Sequence, residues 1–180
     1  MWSSSWQTEL RKPRKEAIMA KTSGGVRSGH IPQRETRDYY LESKRLRDET
    51  LRKAEILKKN PLSFSINNGI SMDVVVTKSD IKTIVSKNTT DNKFNALKNK
   101  LAQDIKGFIK KSKYEGWRAV VPGKHPETAF FAYYSRKLGG NAYLCMRKIK
   151  ATGQFKPYAI INERMFKAES GNLHKEKPPK

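Results

Sequence analysis

Residues 117–166 read WRAVVPGKHPETAFFAYYSRKLGGNAYLCMRKIKATGQFKPYAIINERMF, and the placing of turn residues in this stretch decides the fold. Breaks at Pro122-Gly123, Gly139-Gly140-Asn141 and Thr152-Gly153 divide it into four runs rich in Tyr, Phe, Val and Ile: Trp117 to Val121, Thr128 to Ser135, Ala142 to Ile149 and Pro157 to Asn162. Short runs of this composition between turn formers predict strands, and the brief connections predict an antiparallel meander. Neighbours on a strand point opposite ways, so one face is expected to carry Ala129, Phe131 and Tyr133 with Ala142, Leu144 and Met146 and to cover a helix. The other face would present Tyr134, Tyr143 and Arg147 outward. The adjacent pair Phe130 and Phe131 leaves the choice of face open.

Toward the N-terminus the period becomes helical. Phe94, Leu97, Leu101, Ile105 and Phe108 recur at steps of three and four, which predicts a helix from about Asn92 to Lys113. Lys93, Lys98, Lys100, Lys106, Lys110 and Lys111 fill its remaining positions and are expected to form a cationic back toward solvent. Before it, Val74-Val75-Val76 predicts a short buried strand within Ser71 to Thr77, and Thr77-x-x-Asp80 is a capping-box variant opening a helix through Ser86. Gln33 to Asn60 is dense in helix formers, with Leu41, Leu46, Leu51, Ile56 and Leu57 thinly spaced among charges, and Pro61 ends it. The expected class is therefore α+β, with N-terminal helices packed on a four-stranded antiparallel sheet. Its expected organisation is a flexible basic arm over 1–32, a charged helix over 33–60, a basic α+β domain over 70–167 and a frayed polar tail over 168–180.

The charge is lopsided: 38 Lys+Arg stand against 17 Asp+Glu in 180 residues, a formal net charge of +21. Residues 1–60 carry 15 basic and 8 acidic side chains (+7), and residues 61–180 carry 23 and 9 (+14), so the excess belongs to the folded part and not to a basic tail alone. A pI near 10.1 points to a polyanionic partner, RNA foremost with DNA the alternative. Cys145 is the only cysteine, which excludes an internal disulfide and a thiolate metal cluster, and the three histidines stand far apart at 30, 125 and 174. Residues Met1 to Leu10 have no apolar core of a leader, and no run is long enough to span a bilayer. The expectation is a cytoplasmic protein with no membrane partner.

No phosphate-binding glycine fingerprint, paired-carboxylate motif or HExxH occurs, and acidic residues are too sparse for a two-metal nuclease. The chemistry is expected to need no metal and no cofactor. The loop Val121-Pro-Gly-Lys-His-Pro-Glu127 gathers Lys124, His125 and Glu127 in one turn between two strands. An imidazole can move a proton near neutrality, a lysine can stabilise developing phosphorane charge, and a carboxylate can act as base or orient the imidazole. These are the parts required to cleave RNA with its own 2′-hydroxyl, although a solvated turn residue is the ordinary alternative for His125. Arg118, Arg147 and Lys156 are candidate phosphate clamps, with Lys87 a further one after the first short helix, and the ordinary alternative for each is an exposed strand face or helix end. Tyr134 and Tyr143 are candidate base-stacking residues. His30 and His174 fall in the expected tails and carry no assigned role.

The order of elements, helices followed by a basic, aromatic meander, resembles the barnase–EndoU–colicin–RelE class of metal-independent ribonucleases. Residues Val74-Val-Val-Thr-Lys-Ser-Asp-Ile81 through Lys156-Pro-Tyr-Ala-Ile160 look like the nuclease-like domains appended to phage and mobile-element polyvalent proteins. The similarity covers roughly residues 70–167 and lies in element order more than in a diagnostic motif. It implies a toxin-like endoribonuclease that yields a 2′,3′-cyclic phosphate, and an inhibitor or immunity protein, or a phage particle or larger carrier, as partner. The lack of a second well-placed histidine departs from a two-histidine mechanism. The alternatives without chemistry are an RNA- or DNA-binding protein, ribosome- or nucleoid-associated, and a structural protein packaged with a phage genome.

Overall fold

A computed structural model describes residues 33–138 and 141–178. The arm expected over 1–32, with His30, lies outside the described residues. The chain is α+β, and its helices and strands interleave in an order that differs from the expected one. Helix α1 (Gln33–Lys53) runs into a 3₁₀ turn (Ala54–Lys58), followed by strands β1 (Leu62–Asn68) and β2 (Ile70–Val76). Helices α2 (Lys78–Ser86), α3 (Asn92–Ala102) and α4 (Ile105–Lys110) come next. The meander β3 (Lys113–Ala119), β4 (Thr128–Lys137), β5 (Asn141–Ile149) and β6 (Phe155–Asn162) then leads into α5 (Glu163–Ser170).

The sheet has six strands in the order β1-β2-β6-β5-β4-β3, not four. The expected antiparallel meander is present as β3 to β6, but β2 joins β6 in parallel through the pair Val74 and Phe155, so the sheet is mixed. The extra strand β1 pairs with β2 around Asn68-Gly69, a turn dipeptide of the kind hairpins favour. Gly69 holds φ +84, and a β-carbon there would fall 2.5 Å from the Tyr114 side chain, so the turn requires glycine twice over.

The helix expected over Asn92 to Lys113 is broken. Asp104 accepts a hydrogen bond from the Gly107 amide at 2.8 Å and starts α4 as a new helix, and Lys113 already belongs to β3. The capping box predicted for α2 forms as read: the Thr77 amide donates to Asp80 Oδ2 at 2.9 Å and the Asp80 amide to Thr77 Oγ1 at 3.3 Å. Helix α1 packs along α3 instead of standing apart as a separate charged element. Leu41 and Ile56 of its expected apolar stripe are exposed; the buried stripe is Ser43, Leu46, Thr50 and Ala54. Polar side chains bond across the seam, with the Asn99 side-chain amide donating to the Ser43 carbonyl at 2.9 Å and Thr50 Oγ1 standing 2.9 Å from the Asn99 carbonyl, while Asn99 Oδ1 is buried without a partner. Lys98, expected on the solvent side of α3, is fully buried.

Two apolar clusters lie on the sheet. The larger joins the helices to Met72, Val74, Ala132, Tyr134, Leu144 and Met146. The smaller joins Phe131, Tyr133, Tyr143, Cys145 and Ile161 to Phe166 of α5. The expected face of β4 is thereby reversed. Register pairs Tyr134 with Leu144 and Tyr133 with Cys145, so Tyr134 turns toward the helices and Phe131 and Tyr133 away from them. The tail expected over 168–180 is also ordered where it is described. After α5, His174 exchanges backbone hydrogen bonds with Trp117 at 3.0 and 2.9 Å and stacks on its indole with centroids 4.4 Å apart.

Candidate functional site

The loop that carries the histidine is built from two consecutive turns. Pro122 and Gly123 hold the central positions of the first, closed by the Lys124 amide on the Val121 carbonyl at 3.0 Å; Gly123 has φ +78, the signature of a type II turn. The second is closed by the Thr128 amide on the His125 carbonyl at 2.9 Å. Between them His125 holds φ +50, alone among the described non-glycine residues in having positive φ, and it does so immediately before a proline. Left-handed backbone costs an ordinary residue about 1 kcal/mol or more. That cost is borne where the loop turns the imidazole back over the sheet. The Lys150 amide, bonded to the Glu127 carbonyl at 2.9 Å, fixes the loop's far end to the β5 turn.

The imidazole meets β6 and β4. His125 Nε2 lies 3.4 Å from the Tyr158 hydroxyl, and its ring stands edge-on to Tyr158 and to Phe131 at centroid distances of 5.4 and 5.6 Å. Tyr158 owes its position to an irregularity in β6. Cys145 pairs with Ala159 and Met146 with Pro157, which leaves Tyr158 as the extra residue of a bulge on the side of the smaller cluster. Proline in an interior strand calls for such a break in the ladder, so Pro157 was the available signal for a residue that sequence reasoning did not single out.

Cations converge on the same ring. Lys87 Nζ stands 3.4 Å from the Tyr158 centroid, and the Arg147 guanidinium carbon lies 5.8 Å from it. Arg147 in turn donates to Glu127 Oε1 at 3.0 Å and reaches Asp80 Oδ1 at 3.9 Å, so two carboxylates hold the fork of one arginine. Lys156 pairs with Arg147 in register across β5 and β6. Arg118 lies 5.8 Å from the Phe131 centroid, which itself sits 5.2 Å from that of Tyr158, and it forms an ion pair with Glu169 at 3.7 Å.

Of the residues chosen from sequence, His125, Glu127, Arg147, Lys87 and Arg118 are thus linked through the rings of Phe131 and Tyr158. Lys156 stands next to Arg147. Lys124 is exposed in the loop beside them. The two tyrosines expected to stack bases are not available for it. Tyr134 is fully buried with its hydroxyl 3.2 Å from Met72 Sδ, and Tyr143 lies flat against Phe166 with centroids 3.9 Å apart and planes at 7°. Burial drives the phenols of Tyr133 and Tyr134 far above their ordinary range, as expected of side chains committed to the core. Burial also pushes the Cys145 thiol up to about 12, so it is a packing residue. Asp80 and Tyr158 are the members of the cluster that the sequence did not nominate. Among the described residues no group of three His, Cys, Asp or Glu side chains is placed to hold a metal ion, and no helix is long and apolar enough to cross a membrane. Comparison of the chain with protein-family models, with curated proteins and with solved structures found no match.

Proposed function

We propose that this chain is a metal-independent endoribonuclease of the barnase–EndoU–colicin–RelE type, with the His125–Tyr158 pair as its proton-transfer centre. One observation carries the reading: an imidazole held in strained backbone stands 3.4 Å from a tyrosine hydroxyl, with Lys87 and Arg147 beside the same ring. In the proposed step His125 takes the proton of a ribose 2′-hydroxyl, and the freed oxygen bonds to the adjacent phosphorus. The bond from phosphorus to the 5′-oxygen breaks, and that oxygen takes the Tyr158 proton as it leaves. The imidazolium returns a proton to Tyr158, so the enzyme ends as it began and the products are a 2′,3′-cyclic phosphate and a 5′-hydroxyl. Lys87, Arg147 and Lys156 face the non-bridging oxygens, where negative charge grows in the transition state. Glu127 and Asp80 orient the Arg147 fork.

The test is incubation of purified protein with a defined RNA in EDTA, with product ends read by mass spectrometry. Cyclic phosphate ends that vanish in His125→Asn and fall steeply in Arg147→Met support the assignment, and Lys124→Ala, at the exposed part of the loop, is expected to cost less. The alternative is a nucleic-acid-binding protein without turnover. It is favoured by the Glu127–Arg147 ion pair, which already neutralises part of the clamp. It predicts intact RNA, with affinity that falls steeply with salt and is insensitive to His125→Asn. Such intact RNA under every condition tried would remove the nuclease assignment.

A further inference from the structure

We propose that Lys98 is a positioning residue for this site: from within the core it clamps the end of α2 and so holds Lys87 over the Tyr158 ring. The inference rests on the reading of the Lys87–Tyr158 cluster as a phosphate-binding centre, and its geometry can be tested apart from that reading.

Helix α2 ends without a basic residue in its last turn, and its C-cap, Lys87, has φ −81 and ψ 81. The final carbonyls of a helix carry partial negative charge and need donors. Lys98 supplies one from the neighbouring helix: its Nζ donates to the Lys87 carbonyl and lies 3.4 Å from Asn88 Oδ1. No part of Lys98 reaches solvent. Burial together with the facing Arg47 guanidinium of α1 lowers its pKa to about 8, so the fold keeps an ammonium where a neutral side chain would be easier to accommodate.

The place where that ammonium acts links it to function. The same residue that offers its carbonyl to Lys98 extends its own side chain to within 3.4 Å of the Tyr158 centroid, and Tyr158 touches His125. A long, flexible lysine side chain holds a position over a ring only if its backbone is held first. The buried donor therefore acts through Lys87 and never meets substrate.

Two measurements decide it. In spectra of the full chain, the Lys87 Cε protons are expected upfield from the Tyr158 ring current, an assignment checked by loss of the shift in Tyr158→Leu. Lys98→Met, a replacement of similar shape that removes a buried charge and is often tolerated, is expected to abolish that shift while urea unfolding remains cooperative. Lys98→Arg, which retains a long cationic donor, is expected to keep the shift. Retention of the shift in folded Lys98→Met overturns the proposal, and should Lys98→Met fail to fold, loss of the shift in folded Lys98→Arg with Asn88→Ala overturns it.

The second measurement is affinity for a single-stranded RNA oligonucleotide in EDTA at fixed salt. Lys87→Met and Lys98→Met are each expected to weaken it about tenfold, and the double variant no further, the coupling expected of side chains acting as one unit. Independent, multiplying losses overturn the proposal. If Lys87→Met leaves RNA affinity unchanged while Lys98→Met still displaces Lys87 from the ring, the functional reading of the cluster fails and the positioning role stands.

Discussion

Lys98 gives the fold a pH dependence whose sign and size can be worked out. Its pKa in the folded chain is about 8 against an ordinary 10.5. Between those values the unfolded chain holds a proton that the folded chain has released, so stability rises with pH across that window. Below pH 8 both states are protonated and the folded state bears the full cost of a buried ammonium, on the order of 3 kcal/mol at about 1.4 kcal/mol per pH unit of depression. Above 10.5 both are neutral and the cost is gone. From pH 7 to pH 9.5 the expected gain is about 2 kcal/mol. Acids whose pKa the fold raises oppose it. The Cys145 thiol, pushed up to about 12 by burial, loses stability as pH rises past its ordinary 9.0, and the buried phenols of Tyr133 and Tyr134 do the same above about 10. All of them are present in Lys98→Met, so the difference between wild type and that variant isolates the lysine. The assay is urea unfolding at half-unit steps from pH 7 to 9.5. Wild type should gain on Lys98→Met by about 2 kcal/mol across the range, and parallel curves would refute the claim that the ammonium is desolvated.

Three further outcomes follow from the packing. His125→Gly, which removes the β-carbon at φ +50, should match or exceed wild-type stability, whereas His125→Val should lose about 1 to 2 kcal/mol in the same urea assay. Phe166→Ala removes the ring stacked on Tyr143 and should cost about 3 kcal/mol; limited trypsin digestion should then cut first at Arg164 or Lys167 as α5 leaves the sheet. Cys145, buried and with its thiol raised to about 12, should react with a disulfide reagent only at the rate of unfolding, and reaction within seconds in native buffer would contradict its placement.

What could be read from sequence followed the strength of each local signal. The meander was legible because its turns carry Pro-Gly, Gly-Gly-Asn and Thr-Gly, and the start of α2 because Thr77 and Asp80 satisfy each other locally. Strand β1 went unread although Asn68-Gly69 marked its turn: Leu62, Phe64 and Ile66 alternate with polar residues in a half-buried edge strand, a weaker pattern than the run of valines beside it. The seam of α1 on α3 was hidden for a different reason. Beside Leu46 and Ala54 it buries Ser43, Thr50 and Asn99, which a search for apolar periodicity passes over and which hydrogen bonds across the seam make suitable for a core. The break before α4 turned on one side chain, Asp104, capping in the middle of an unbroken apolar period.

The candidate site shows the same division between local and long-range information. His125, Glu127 and Arg147 were found because a turn and a strand could be placed from residues near them in sequence. The face of β4 was read in reverse because alternation cannot say which side of a strand is covered, and two adjacent phenylalanines fit either answer; only the register of Tyr134 on Leu144 resolves it. That register removes Tyr134 from the surface and turns Phe131 toward His125, so the reversal exchanges a stacking residue for a supporting ring. Tyr158 depends on a bulge, and Lys98 on the packing of three helices. Pro157 was the one local sign of Tyr158 and Lys98 has none, yet both adjoin Lys87, the site candidate with the least support in the sequence. Variants of Lys87 therefore separate this arrangement most sharply from an even coat of positive charge. A solvated surface would lose affinity in proportion to charge wherever a lysine was removed, whereas a built site loses it at Lys87 and, through a buried side chain that meets no ligand, at Lys98.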